Sequence, residues 1–272
     1  MYICIKLSGL IVPIHGKRLM KWVVFIGILI SVFTETYRGC ITNTESQNFR
    51  VDVKADLSDV SFPLNIREPS GLSFSVSGDA LYVVSDKTGG ICRIGFTGEV
   101  LEKLPFQGHD IEGIEVDKTT GEIWLVEERK QDILHLSRDG ELIERITDVK
   151  TDTKYNSGFE GIAMNGDLLY ILIENHPGSL IEYSISSKKW DRHKLDFAKD
   201  YTGIDYDSSD NTLWIVSHES RTLNHCTIQG KLISSQEIDV KQAEGVAVDR
   251  AAKIAWIVSD ADSKLHKITL KD

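Results

Sequence analysis

The sequence predicts an all-β fold: a five-bladed β-propeller with an N-terminal strand closing the last blade. Three observations predict it. A short element recurs five times, as Ser70-Gly71-Leu72, Glu112-Gly113-Ile114, Glu160-Gly161-Ile162, Thr202-Gly203-Ile204 and Glu244-Gly245-Val246, with its glycines 42, 48, 42 and 42 residues apart. An aromatic strand residue follows each copy: Tyr82, Trp124, Trp214 and Trp256 stand 11 residues after their glycines, and Tyr170 stands 9 after its own. The last copy reaches Asp272 without a fourth strand, while a strand-like run precedes the first copy. Four short strands per repeat of this length is the pattern of propeller blades.

Residues 1–45 come first in the chain and read as a signal or membrane-anchor segment with a short linker. Lys17, Arg18 and Lys21 precede the largely apolar run Trp22 to Phe33, and a polar stretch follows, which is the order of an export signal. Twelve residues make a signal core but fall short of the roughly 20 that span a bilayer comfortably. Cys40 follows Gly39 as a lipoprotein cysteine would, although Tyr37 and Arg38 depart from that pattern. Simple cleavage, lipid attachment at Cys40 and an uncleaved anchor all stay open, as does a start at Met20 in place of Met1. Each version places the residues after about 45 outside the cytoplasm, and the expected location is the periplasm, anchored at the cell membrane.

The propeller occupies residues 46–272. Phe49 to Leu57 opens it, with the alternation Phe49-Arg50-Val51-Asp52-Val53, and is expected to pair with Lys264 to Leu270 and so cover an exposed sheet edge. Within each repeat the glycine element forms the first strand and the aromatic run the second. A third with period-2 alternation follows, such as Ile133 to Leu136, and a fourth after a turn, such as Gly140 to Ile143 or Gly230 to Ile233. Asp205 to Asn211 has the acids of a calcium loop but lacks the central glycine and terminal glutamate that an EF-hand requires, so it reads as a hairpin turn.

Composition limits the partners. A net charge of −10 argues against a nucleic-acid surface, which needs clustered lysine and arginine, and favours cations and basic groups. The four cysteines, Cys4, Cys40, Cys92 and Cys226, have no zinc or redox spacing, and the last two fall in apolar strands as buried thiols.

Hairpin register gives the candidate site. Counting back from each turn places Glu112 opposite Glu127, while counting four residues from the aromatic gives Glu128. The same count sets Glu160 opposite Glu174, Glu244 opposite Asp260, Ser70 opposite Asp86 and Thr202 opposite His218. A propeller gathers its first strands around one axis, so these acids converge and repel unless protons or a cation relieve them. Calcium suits a cluster rich in oxygen and nearly free of nitrogen and sulfur. Glu112, Glu160 and Glu244 are the expected ligands, with Glu127 or Glu128, Glu174, Asp86 and Asp260 around them; solvated channel lining is the bland alternative. Ser217-His218-Glu219-Ser220-Arg221 and His176 sit at the same end of blades four and three, where His218, Glu219, Arg221 and His176 are expected to meet a ligand. No G-x-S-x-G elbow accompanies them.

The segments Asn156 to Ala163, Ser217 to Arg221 and Lys241 to Asp249 resemble the SdiA-regulated, YjiK-like family of bacterial envelope proteins, over a stretch from about Phe49 to the end. The resemblance implies a five-bladed propeller distantly similar to NHL-repeat proteins, with a bound calcium and no assigned chemistry. Two functions are expected from the residues. One is a monomeric, non-catalytic envelope module that binds a small ligand or an envelope protein. The other is a calcium-dependent hydrolase of the lactonase or phosphoesterase type.

Overall fold

In each repeat an aliphatic residue follows the glycine (Leu72, Ile114, Ile162, Ile204 and Val246) and the second strand is a largely apolar run, which suits strands buried near the centre of a ring, while the outermost strands are more polar. The computed structural model describes residues 6–7, 10–11, 59–149, 151, 158–174 and 177–271. Two compact units divide the chain, Met1–Lys54 and Ala55–Asp272. In the first, the described residues form one strand pair, β1 (Lys6–Leu7) and β2 (Leu10–Ile11). In the second, five antiparallel four-stranded sheets follow one another.

Blade one comprises β4 (Pro69–Phe74), β5 (Leu81–Ser85), β6 (Gly90–Ile94) and β7 (Val100–Gln107). Blade two holds β8 (Ile111–Val116), β9 (Ile123–Glu127), β10 (Asp132–Leu136) and β11 (Leu142–Ile146). Blade three runs through β12 (Phe159–Asn165), β13 (Leu168–Ile173), β14 (Gly178–Ser184) and β15 (Trp190–Leu195). Blade four contains β16 (Gly203–Asp207), β17 (Thr212–Ser217), β18 (Thr222–Thr227) and β19 (Leu232–Glu237). Blade five is β20 (Ala243–Asp249), β21 (Ile254–Ser259) and β22 (Lys264–Thr269), with β3 (Val60–Pro63) from the N-terminal side as its outer strand.

That outer strand corrects one expectation. Phe49 to Leu57 lies outside the described residues, and Val60–Pro63 takes the place against Lys264–Lys267. Phe62 secures it by facing Leu265 and packing near Trp256, their ring centroids 6.4 Å apart. Pro63 ends the strand, as suits an edge position where no ladder donor is needed.

The cores lie between blades. Five clusters of buried side chains fill the five inter-blade gaps, for example Val84 with Leu125 between blades one and two, and Val258 with Leu72 between blades five and one. The repeat glycines explain how five inner strands meet. A methyl group at Gly71 would lie 2.7 Å from the Ile114 nitrogen, one at Gly113 would lie 2.9 Å from the Ile162 nitrogen, and one at Gly245 2.6 Å from the Leu72 nitrogen. Each contact is with backbone of the next blade, so only glycine allows the strands this close, and blade five meets blade one as the others meet their neighbours.

Among the cysteines, Cys226 is buried in β18, its thiol pushed up to about 12 by desolvation, and Cys92 is half-buried with its thiol raised for the same reason. Residues 208–211 form a turn, at whose start Asp207 accepts the Ser209 amide at 2.9 Å.

A carboxylate cup at one end of the axis

The site begins with a break in the ladder. In blade two Ile111 pairs with Glu127 and Gly113 with Val126, leaving Glu112 between them as the extra residue of a bulge. The same irregularity falls between Phe159 and Ile162, between Ala243 and Val246, and between Pro69 and Leu72. The expected cross-strand pairs of acids are therefore not formed: Phe159 faces Ile173, Ala243 faces Ser259 and Pro69 faces Ser85. In blade four Gly203 faces Val216, so Thr202 is likewise out of line with His218. Bulges re-aim a side chain, and here they turn Glu112, Glu160 and Glu244 into the axial cavity.

A corner two residues earlier prepares each of three bulges. Glu68, Asp110 and Gln242 adopt φ of 45°, 59° and 41°, a left-handed conformation costly for residues with a side chain. Their carbonyls accept the amides of Asp86 at 3.0 Å, Glu128 at 2.8 Å and Asp260 at 3.1 Å, which fixes those three acids beside the ring.

The result is a cavity of about 240 Å³ lined by Glu68, Pro69, Ser70, Asp86, Glu112, Glu128, Glu160, Glu174, Thr202, His218, Glu244 and Asp260. Eight of these twelve residues are acids and none is lysine or arginine. Below it the axial glycines leave only about 10 Å³ of space, so the cup has a floor.

Electrostatics follow from the crowding. Desolvation, then repulsion from Asp86 and Glu244, pushes Glu112 up to about 9; desolvation, then Asp260, pushes Glu244 up to about 8. Glu160 is held well above the carboxylate range by burial, then by Glu112 and Glu174. Burial likewise raises Asp86, Glu128, Glu174 and Asp260. Glu160 is only 9% exposed, and among the described residues its carboxylate has neither a hydrogen bond nor an ion pair.

Where the ring residue is not an acid, its hydroxyl ties neighbouring blades together. Ser70 Oγ donates to the Ile111 carbonyl at 2.7 Å, and Thr202 Oγ1 to the Ala243 carbonyl at 2.7 Å.

Several expected site residues lie elsewhere. Glu127, 1% exposed, binds Arg145 and, at 3.1 Å, Lys130, and does not line the cup. The bulge shifts the register by one and puts Glu128 there instead. Glu219 contributes its backbone amide, which donates to Asp200 at 2.9 Å, and Arg221 occupies the turn after β17 with φ 54°; neither lines the cavity. His176 lies outside the described residues. His218 does reach the wall, with Nδ1 3.9 Å from Asp200. Ser217 is buried and donates to Asp200, a structural tie like that from Ser259 Oγ to the Lys241 carbonyl at 2.6 Å.

Sequence reasoning missed Glu68 and Asp110, which precede the repeat element. Oxygens of Asp86, Asp110 and Glu112 come within 4.8 Å of one another, the geometry of a possible cation site. It also missed a second acidic layer three residues along the inner strands. There Lys118 Nζ donates to Glu115 at 3.1 Å, Ser73 Oγ at 3.0 Å, the Phe74 carbonyl at 3.0 Å and the Val116 carbonyl at 2.8 Å. Nearby, burial and then Glu115 push Asp205 up to about 7. The far layer thus carries its own cation, while the cup lining contains none.

Comparison with known proteins places this geometry. A family model described as SdiA-regulated matches residues 43–263. Virginiamycin B lyase from Staphylococcus aureus is similar in structure, with a TM-score of 0.51 at 15% identity over 79% of this chain and 99% of that one. The β-propeller domain of Cps50 (Swd1) from Myceliophteria thermophila reaches a TM-score of 0.46 at 13% identity, over 74% of this chain and 65% of that one. At such identities the first likeness supports the propeller fold alone.

Proposed function

The chain belongs to the SdiA-regulated family, and from that premise we propose that its propeller is an exported, membrane-associated, calcium-binding module that presents a ligand site in the cell envelope. One observation carries the reading: Glu160 is nearly buried, faces the cup and has no partner among the described residues, in a protein that supplies Lys118 to neutralise Glu115 in its other axial layer. Buried carboxylates in apposition need a counter-charge. The donor set fits calcium, which takes six to eight oxygens in flexible geometry.

Glu112, Glu160 and Glu244 would hold the ion, one from each of three blades. Asp86, Glu128, Glu174 and Asp260 surround them. Ser70 and Thr202 have committed their hydroxyl protons to neighbouring carbonyls, so their oxygens remain as neutral acceptors. Bound calcium would neutralise the ring and offer open positions to ligand oxygens. His218 on the wall, with Asp200 beside Nδ1, supports a second reading as a calcium-dependent hydrolase in which His218 takes a proton. Lys17, Arg18 and Lys21 ahead of the apolar run support export and membrane attachment.

Calorimetric titration of the purified protein with calcium tests the reading. Wild type should bind at this site and Glu160→Gln should lose most of the heat. Indistinguishable isotherms for the two proteins would defeat it.

A further inference from the structure

The lining of the cup constrains what can share it. Only Pro69 among the twelve lining residues is apolar, so no surface there favours a lipid or aromatic ligand. The volume of about 240 Å³ corresponds to about eight water molecules at roughly 30 Å³ each, the scale of a single sugar ring. The glycine floor closes the inner end, so a ligand enters from the mouth and stops at the ring.

Charge narrows the class further. Eight acids line the cup; an ion held by Glu112, Glu160 and Glu244 takes the place of their protons, and the other five acids lie outside its ligand set. The nearest cations belong to exposed side chains at the rim: Lys87 lies 3.3 Å from Glu68, and Arg129 lies 3.4 Å from Asp110 and 3.8 Å from Glu128. An incoming phosphate or carboxylate would therefore meet repulsion from acids that neither the metal nor these cations cover, Glu174 and Asp260 among them. Hydroxyl oxygens suit the open positions of calcium, and a protonated amine suits the uncovered carboxylates. Glu160, nine-tenths buried and without a partner among the described residues, marks the cup as a place built to receive something.

Resting on the reading of the cup as a calcium-organised ligand site, we infer that its ligand is a monosaccharide-sized polyhydroxylated molecule bearing a protonated amine, an amino sugar in chemical class, and that the cup rejects phosphate and carboxylate ligands. Selection comes from the acids that the bound cation leaves uncovered, and the ring size from the volume of the cup.

A series of ligands that differ in charge tests it. Glucosamine, glucose, glucuronate and inorganic phosphate are titrated into the full-length protein at neutral pH and low salt, followed by NMR shifts, with calcium saturating and again with calcium removed. Glucosamine should bind at least tenfold tighter than glucose, and glucuronate and phosphate should leave the cup resonances unmoved. Asp260→Asn and Glu174→Gln should each narrow the gap between glucosamine and glucose. Glucuronate binding as well as glucosamine, glucosamine binding no tighter than glucose, or no sugar binding at millimolar concentration would each overturn the inference. Failure of calcium to bind would sink the calcium reading alone. In that case the order measured on calcium-free protein decides the inference, which stands if the amine is still preferred and falls if it is not.

Discussion

Replacing Glu160 by glutamine in calcium-free protein should flatten the loss of stability that rising pH causes. Burial, then Glu112 and Glu174, holds Glu160 protonated well above its ordinary range, while Glu112 and Glu244 are raised to about 9 and about 8. An acid whose folded pKa exceeds its unfolded value costs nothing while both states are protonated, below about pH 4.5. Above that the unfolded chain gives up the proton and the fold keeps it, so stability falls until the pH passes the folded value. Each such acid contributes a slope of up to about 1.4 kcal/mol per pH unit between about pH 5 and 8. Three of them together give as much as about 4 kcal/mol per pH unit in wild type, of which Glu160→Gln removes about a third. Urea unfolding of calcium-stripped protein at pH 5.5, 6.5 and 7.5 reads the slope directly. The variant should be the more stable protein at pH 7.5 and close to wild type at the lowest pH. Parallel slopes would refute the reasoning, because they would mean that Glu160 is as well solvated folded as unfolded.

Other perturbations separate scaffold from site. Gly245→Ala forces a methyl group to 2.6 Å from the Leu72 nitrogen and the Ser70 carbonyl, so urea unfolding should show a loss of about 1–3 kcal/mol; an unchanged midpoint would contradict the account of the glycine layer. Glu127→Ala breaks the contacts with Arg145 and Lys130 and should cost about 1–3 kcal/mol, yet its calcium isotherm should match wild type. A reporter fused after Glu45 should be active outside the cytoplasm, and fatty-acid labelling that survives Cys40→Ala would exclude a lipoprotein linkage at that residue.

Much of this was legible in the sequence because the ring imposes a repeat. Five glycines must pack against neighbouring backbones, and five aromatics stand on the second strands, so blade number followed from spacing alone. The convergence of Glu112, Glu160 and Glu244 followed from their place beside those glycines. Register was less legible, since a bulge adds one residue without altering composition, and that shift put Glu128 in the cup and Glu127 against Arg145. Glu68 and Asp110 gave little signal because they sit on left-handed corners ahead of the repeat element, where the other blades have Gly158, Asp200 and Gln242 and no one residue recurs throughout. The closing strand was misplaced because four residues ending in Pro63 show less alternation than Phe49 to Val53, although Phe62 supplies the contact with Trp256 that fixes it.

The central claim is that the cup is a calcium site, and the most direct measurement is the melting temperature of the protein with a chelator, with calcium and with magnesium. A ligand that binds only the folded state adds about 2.7 kcal/mol at a hundredfold excess over its Kd, which for a domain of this size corresponds to a rise of about 5–10 °C. Calcium should give that rise and magnesium much less, because magnesium keeps its water and demands a stricter octahedron. A melting temperature that neither chelation nor added calcium moves would contradict the account and leave the eight carboxylates as solvated channel lining.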